Sequence, residues 1–531
     1  MKAPYSRTLF ELLCEQAANA PELAAVISGG VCLSYAELEV RVRRVAQAMR
    51  ETGVRRGDRV GLLSDNRIEW LEVLFAAAAL GAIVVPFSTW STPRELDFLL
   101  GDSQLRLLFA IPRFGKRSFA DDIAVLRASG AHRDLESVVL LDADTGDGFS
   151  PYSRYQQAGI LPDLAPGEGA SAADTLVVLY TSGSSNRPKA VPLIHSSTIE
   201  NGFNIGERQG LVAGDRVFVS IPLFWSYGAV NALPASISHG AALVLQGHFD
   251  AEGALDLIER HKCTAIYTLP AMTNALVGHP SFHPRRTATM RTGVTIGAPQ
   301  DIFKAAEQLG ASQICNIYGA TENYGNCCVT PHDWPLEKRA RCQGPPLPGV
   351  QVRIRDASLG CECQRDEVGE IEVKGYLSKG YLGSSAQFNA TAFTPDGYFR
   401  TGDLGSLSQE GALQYAGRSS EMIKRSGINV SPAEVEEVLQ QYPGIALAGV
   451  TGLADPVRGE IIVAYLTPRL GFKIETSEVL AHCRRHLSRY KVPDRLHVCE
   501  HLPLTPTGKL LRRKLKAMAA ASEDTRDDNG A

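Results

Sequence analysis

Apolar residues along this chain recur in short blocks. DRVGLL (58–63), AIVVPF (82–87), LRLLFA (105–110) and SVVLLD (137–142) are separated by helix-length amphipathic stretches. Continuous apolar blocks of that length between amphipathic helices are the pattern of buried parallel strands, so an α/β architecture is expected. The apolar run VLFAAAALGAIVVPF (73–87) has 15 residues and contains Gly81 and Pro86. A membrane-spanning helix needs about 20 apolar residues, so the run predicts a buried helix, a turn and a strand. LAPGEGASAAD (164–174) is poor in bulky apolar side chains and marks a loop before the strand TLVVLY.

Beyond residue 350 the pattern changes. QVRIRD, GEIEVKG and ALQYAGR alternate apolar and polar positions in part, which predicts antiparallel strands in a smaller β-rich subdomain. A break follows near Gly417. SPAEVEEVLQQ then opens as a helix, with Ser431 as cap, Pro432 in the first turn and Glu434 completing a capping box. The strand IIVAYLT and the helix SEVLAHCRRHLSR complete a compact α+β unit. The expected fold is therefore α/β: a large N-terminal domain over residues 1–417 and a small, mobile α+β domain over 418–531. Its tail, ASEDTRDDNGA, is polar enough to predict disorder beyond residue 517.

Composition narrows the partners. The 531 residues are 44% hydrophobic and 21% charged, with 54 basic and 58 acidic side chains and a formal charge of -4. That balance gives no electrostatic reason to expect nucleic acid or an anionic membrane, and leaves small molecules or other proteins. Eleven cysteines lie at irregular spacings with no C-x2-C pair, which fits reduced cytoplasmic thiols. Cys361 and Cys363, and the adjacent Cys327 and Cys328, have no complementary cysteine or histidine cluster. Glu11 and Glu15 interrupt what would be the apolar core of a secretory signal, so no export is expected.

Candidate chemistry starts at YTSGSSNRPKAV (180–191), which gathers five hydroxyl side chains and two cations around one glycine with no acidic residue. An apolar strand enters this loop at Leu176–Leu179 and another leaves it at Ala190–Ile194, with a helix expected only near Ser197. This is not a P-loop, which needs GxxxxGK[ST] running into a helix. Backbone N–H groups, hydroxyls and the point charge of Lys189 would suit a polyphosphate. The competing reading is a solvated surface turn.

The loop resembles the phosphate loop of the adenylate-forming superfamily, which comprises acyl-CoA synthetases, peptide-synthetase adenylation domains and luciferases. IGAP (296–299), IYGATE (317–322), GYFRTGDLG (397–405), GRSSEMIKRSGINVSPAEVE (417–436) and PLTPTGKLLRR (503–513) follow in that family's order. The resemblance covers nearly the whole chain and is greatest to a stand-alone acyl-CoA synthetase. It implies a magnesium-dependent ligase that activates a carboxylic acid with ATP, releases pyrophosphate, and passes the acyl group from AMP to coenzyme A.

Residue by residue, the resemblance implies that Thr181, Ser182, Gly183, Ser184, Ser185 and Lys189 wrap the β- and γ-phosphates. Glu322 would hold Mg2+ and Thr321 the α-phosphate. Gly297, Ala298 and Pro299 would line the adenine slot, with Tyr318 stacking and Gly319 and Ala320 leading to Thr321. Asp403 and Arg418 would take the ribose. Lys509 would project toward the reacting carboxylate, Ser420 would be the hinge of domain alternation, and Gly427 would admit the pantetheine arm. Thr181, Lys189, Glu322 and Lys509 are the catalytic candidates.

Several positions depart from the family pattern. Asn186 and Ala190 stand where glycines are usual, Ser420 where Asp or Lys is usual, and Trp225 where acyl-CoA synthetases often have histidine. PLFWSYG (222–228) carries no charge to pair with an amino acid's ammonium, so an uncharged acyl or aryl acid is expected. Trp225, Tyr227, Gly228, Gly319 and Gly325 are the pocket candidates, with the glycines and the small Cys327 expected to leave room for a bulky apolar group. The acceptor could be CoA or the thiol of a separate carrier protein, and a silent nucleotide-binding paralogue is the remaining alternative. The oligomeric state is open, a homodimer being one option.

Overall fold

A computed structural model describes residues 3–527, apart from 133, 143–147, 166, 182–187, 357–358, 426–427, 456–457, 488 and 506–509. The chain divides into two compact units, one of residues 1–352 and 373–399, the other of residues 353–372 and 400–531.

The first unit is built on two large sheets. In one, the strands Arg59–Leu63, Ile83–Phe87, Leu107–Ala110 and Ser137–Leu140 lie parallel, which are the four apolar blocks of the sequence. Thr175–Thr181 joins this sheet beside Ile83–Phe87, and Lys189–Ile194 closes its edge as an antiparallel neighbour. In the other sheet, Ala24–Ser28, Ala242–Leu245, Arg216–Val219, Ala265–Tyr267, Thr292–Thr295 and Cys315–Tyr318 run parallel in that spatial order.

The run at 73–87 resolves into the buried helix Ile68–Leu80, a left-handed Gly81 (φ 69°) and the strand Ile83–Phe87. No helix among the described residues is long and apolar enough to cross a membrane. Glu72 is buried inside that helix, where its carboxylate accepts from the Tyr152 hydroxyl at 2.6 Å and from Arg41 at 3.1 Å. Such pairing is what allows a carboxylate to sit in an apolar interior.

The helix expected near Ser197 begins two residues earlier, as His195–Gln209. His195 is fully buried, and its Nδ1 accepts from the backbone N–H of Leu9, the first residue of the helix Leu9–Asn19. The imidazole thereby satisfies one of the amides that a helix start leaves without an internal partner.

In the second unit, Ile445–Asp455 and Gly459–Pro468 form a long antiparallel pair, with Arg495–Val498 parallel to the latter. The helix Pro432–Gln440 starts with Ser431 as cap, its Oγ accepting from Glu434 N at 3.4 Å. Glu434 does not complete the expected capping box, because its carboxylate accepts from Lys491 Nζ at 2.6 Å instead. Arg512 ties this unit together: it donates to Glu421 at 2.8 Å, to the buried Glu436 at 2.8 Å and to Val450 O at 3.0 Å. The helix Arg512–Asp527 continues through most of the tail that polarity alone marks as disordered. Alanine, glutamate and arginine are good helix formers, and that local preference outweighs the lack of apolar residues.

Candidate active site

Thr181 and Lys189 face each other as paired residues at the loop end of the hairpin Thr175–Thr181/Lys189–Ile194. Ser182, Gly183, Ser184, Ser185 and Asn186 lie outside the described residues. The hairpin's end is anchored from the side. The Tyr180 hydroxyl donates to Asp102 Oδ2 at 2.8 Å, and Ser384 N donates to Asp102 Oδ1 at 3.2 Å. Ala190 N donates to Ser385 Oγ at 3.1 Å, and Leu382 N to Ala190 O at 3.0 Å. Ala190 is not among the residues with positive φ, so an alanine side chain is accommodated there without backbone strain.

The segment from Tyr318 to Cys328 folds back on itself, because the strand Cys315–Tyr318 pairs antiparallel with Cys328–Val329. Between them, Ala320 N donates to Asn323 Oδ1 at 2.8 Å and Thr321–Asn323 forms a single turn. The turn ends on Tyr324 at φ 61° and Gly325 at φ 88°. Tyr324 is buried, and its hydroxyl accepts from Ile194 N at 3.0 Å, so the strand Lys189–Ile194 is joined to this turn at its far end from the loop. The Thr321 hydroxyl donates to Ser226 Oγ at 3.1 Å, which ties the α-phosphate candidate to the pocket segment.

Glu322 is nearly buried, and its carboxylate accepts from the Tyr381 hydroxyl at 2.7 Å. Burial first, and then the Glu322 carboxylate, push the Tyr381 hydroxyl up, so it remains protonated and donates. Lys189 Nζ lies 4.9 Å from the centroid of the Tyr381 ring and 4.9 Å from that of Phe388. One tyrosine therefore touches both the candidate metal carboxylate and the candidate phosphate cation. Among the described residues no group of three His, Cys, Asp or Glu side chains converges on a metal position.

Gly297 and Ala298 precede the helix Pro299–Glu307. Asp301 turns back to accept from Ala298 N at 3.0 Å, and a Cβ at Gly297 would stand 2.6 Å from its Oδ2. Glycine is thus required for this helix to be capped by its own carboxylate. Burial pushes the Asp301 carboxyl up, against the opposing effect of the Ala298 N–H.

Trp225 packs edge-on against Trp90 (centroids 5.2 Å apart) and Phe224 (6.0 Å). The Tyr227 hydroxyl donates to Val294 O at 2.9 Å, and burial pushes it well above the ordinary phenol range, so it acts as a neutral donor. The glycines do not leave the open space expected of them. A Cβ at Gly228 would lie 2.6 Å from Pro222 O, and one at Gly319 2.3 Å from Gly325 O. Their missing side chains are filled by neighbouring backbone. Gly325 needs glycine for its left-handed conformation, with Asn231 Nδ2 3.2 Å from where a Cβ would be. Cys327 is buried, its Sγ within 3.6 Å of Tyr318 O. Gly228 opens a π-helical turn, Gly228–Ala232, a local widening often found at functional sites.

In the second unit Asp403 and Arg418 are paired residues of the strands Phe399–Leu407 and Leu413–Arg418, and Arg418 Nε donates to Asp403 Oδ1 at 3.1 Å. Ser420 lies in the single turn Ser419–Glu421. Gly427 and Lys509 fall outside the described residues. Sequence reasoning did not single out Tyr381, Phe388, Tyr324 or Ser226. Tyr324 carries a sequence signal as the aromatic within ENYG directly before a glycine, and Ser226 lies within the pocket segment PLFWSYG.

The family model described as AMP-binding enzyme matches residues 13–382, and that of the AMP-binding enzyme C-terminal domain matches 434–509. A feruloyl-CoA synthase from Amycolatopsis sp is 32% identical over 504 residues, spanning 94% of this chain and 97% of that protein. ATP-bound MatB from Rhodopseudomonas palustris superposes with a TM-score of 0.84 at 26% identity, covering 96% of this chain and 98% of the other. The anthranilate CoA ligase AuaEII, in complex with anthranoyl-AMP, gives 0.87 at 25% identity, covering 98% and 100%. The chain belongs to the AMP-binding enzyme family.

Proposed function

We propose that the protein is an AMP-forming acid–thiol ligase, an acyl-CoA synthetase. In its first half-reaction a carboxylate oxygen attacks the α-phosphorus of ATP, giving acyl-AMP and pyrophosphate. In the second, the thiol of CoA displaces AMP, loses its proton and takes the acyl group. The observation that carries this reading is the convergence of the Lys189 ammonium and the Glu322 carboxylate on Tyr381. A cation for phosphate oxygens and a carboxylate for a phosphate-bound metal are what collision of two anions requires.

Lys189, Thr181 and the hydroxyls of 182–185 hold the β- and γ-phosphates in this reading. Thr321 meets the α-phosphate, its hydroxyl oriented by Ser226. Gly297, Ala298 and Pro299 line the adenine slot with Tyr318 stacking on the base, Gly319 and Ala320 also contact the nucleotide, and Asp403 and Arg418 take the ribose. A lone carboxylate fits Mg2+, which takes one or two protein carboxylates and phosphate oxygens for the rest. When bound, the ion supplies neutralisation of phosphate charge.

Lys509 completes the clamp around the reacting carboxylate. The domain beginning at residue 418 turns about Ser420 between the half-reactions, and Gly427 then admits the pantetheine arm. The acid is an apolar acyl or aryl acid, since the segment around Trp225 and Tyr227 has aromatic faces and no charge. A cytoplasmic location, where ATP, Mg2+ and CoA are at hand, agrees with eleven free cysteines.

Incubation with ATP, Mg2+, CoA and a panel of fatty, aromatic and polycyclic acids, read by mass spectrometry, tests this. The expected products are one acyl-CoA, AMP and pyrophosphate in equal amounts. Release of ADP and phosphate, or no thioester from any acid, would overturn it. Acyl-AMP accumulating despite CoA would point to a carrier-protein thiol.

A further inference from the structure

The segment 375–382 has no part in the roles given above, yet it reaches both charged groups of the phosphate site. Tyr381 is only 4% exposed and its backbone is fixed on both sides. Tyr381 N donates to Asn389 Oδ1 at 2.7 Å, and Asn389 Nδ2 donates back to Tyr381 O at 3.1 Å. Ser378 N donates to the Glu322 carbonyl at 2.8 Å, so the segment holds Glu322 by its main chain as well as by its carboxylate. Gly380 sits at φ 112°, and a Cβ there would meet the Asn389 amide at 3.0 Å, so glycine is needed for this path.

The arrangement has an electrostatic consequence. A lysine and a glutamate that serve one phosphate site and meet the same tyrosine could pair with each other, and each would then arrive at its ligand already neutralised. Here the hydroxyl end of the tyrosine takes the carboxylate, while its ring face, with Phe388, takes the ammonium. Aromatic faces attract a cation without cancelling its charge. A neutral O–H donor likewise orients a carboxylate without cancelling it, through a charge-assisted bond that is among the stronger ones proteins make.

We propose that Tyr381 is a positioning residue for the phosphate site, holding Glu322 for the metal and Lys189 for the phosphates and keeping the two charges from pairing with each other. This rests on the reading of the site as one for ATP and Mg2+. Its two halves are separable, because the hydroxyl serves the metal carboxylate and the aromatic faces serve the cation.

Calorimetric titration of the full chain with ATP, once in excess Mg2+ and once in EDTA, separates them. In Tyr381→Phe the ring remains and the hydroxyl is lost. The gain in ATP affinity conferred by Mg2+ should fall about tenfold, the scale of one hydrogen bond to a charged group, while affinity in EDTA stays within about twofold. Phe388→Leu should do the reverse, weakening ATP binding about threefold in both media and leaving the Mg2+ gain unchanged. In a Glu322→Gln background, Tyr381→Phe should add nothing further to the loss of the Mg2+ gain.

A wild-type Mg2+ gain in Tyr381→Phe, or equal losses with and without metal accompanied by a lower melting temperature, would overturn the proposal and leave a merely structural tyrosine. Should that variant unfold, a Phe388→Leu protein that binds ATP as tightly as wild type would overturn it as well. A wild-type chain that binds no ATP in either medium would instead sink the functional reading, and the proposal with it.

Discussion

Tyr324 adopts φ 61°, a left-handed conformation that costs a bulky residue about 1–3 kcal/mol and persists only where its surroundings fix it. Here Ile194 N donates to its hydroxyl at 3.0 Å, and Asn201 Nδ2 donates to Asn326 O at 3.0 Å, bracing the same turn. Tyr324→Phe keeps the ring but leaves the half-buried Ile194 N–H without this partner. Urea unfolding should show a loss of about 1–3 kcal/mol with an unchanged m-value. A loss of only a few tenths would mean that the hydroxyl is not what holds the turn. At this scale the sequence is a partial guide. Thr181, Lys189, Thr321 and Glu322 are visible as motif residues, whereas Tyr381 is not, because its role depends on a contact spanning 59 positions. Gly228 and Gly319 mislead for a related reason: a missing side chain reads as space along a sequence, but backbone from Pro222 and Gly325 occupies it.

At the scale of elements, the four apolar blocks become neighbouring parallel strands because burial on both faces leaves no polar positions to interrupt them. The ends of elements are less legible, since they depend on which side chain arrives from elsewhere. Glu434 is claimed by Lys491 rather than by its own helix start, and the helix expected near Ser197 starts at His195, whose imidazole serves another helix. That last contact predicts an acid dependence. Burial lowers His195 from 6.5 to about 4, while in the unfolded chain it titrates near 6.5. Below pH 6.5 the unfolded state therefore binds the extra proton, and stability falls as pH falls, down to the folded value near 4. At about 1.4 kcal/mol per pH unit the loss from this group is roughly 3 kcal/mol, and none of it is felt above pH 6.5. His195→Asn keeps an acceptor for Leu9 N but does not titrate, so its unfolding free energy should be flatter across that window. An acid limb identical to wild type would show that other groups carry it.

At the scale of the whole molecule, the first unit carries Lys189 and Glu322 and the second carries Lys509 and the hinge candidate Ser420. If Ser420 is the pivot, Ser420→Pro, which fixes φ, should slow thioester formation far more than acyl-AMP formation in single-turnover assays of each step. Equal slowing of both would remove the pivot from that residue. In the proposed function, carboxylate and ATP react at phosphorus with Lys189 and Lys509 supplying positive charge. Its most direct test is exchange of labelled pyrophosphate into ATP, driven by an acid from the panel, in wild type and in Lys509→Ala. Acid-dependent exchange is expected in wild type, and its loss in a variant that is folded and still binds ATP. Exchange at the wild-type rate in Lys509→Ala, or none in wild type with any acid, would contradict it.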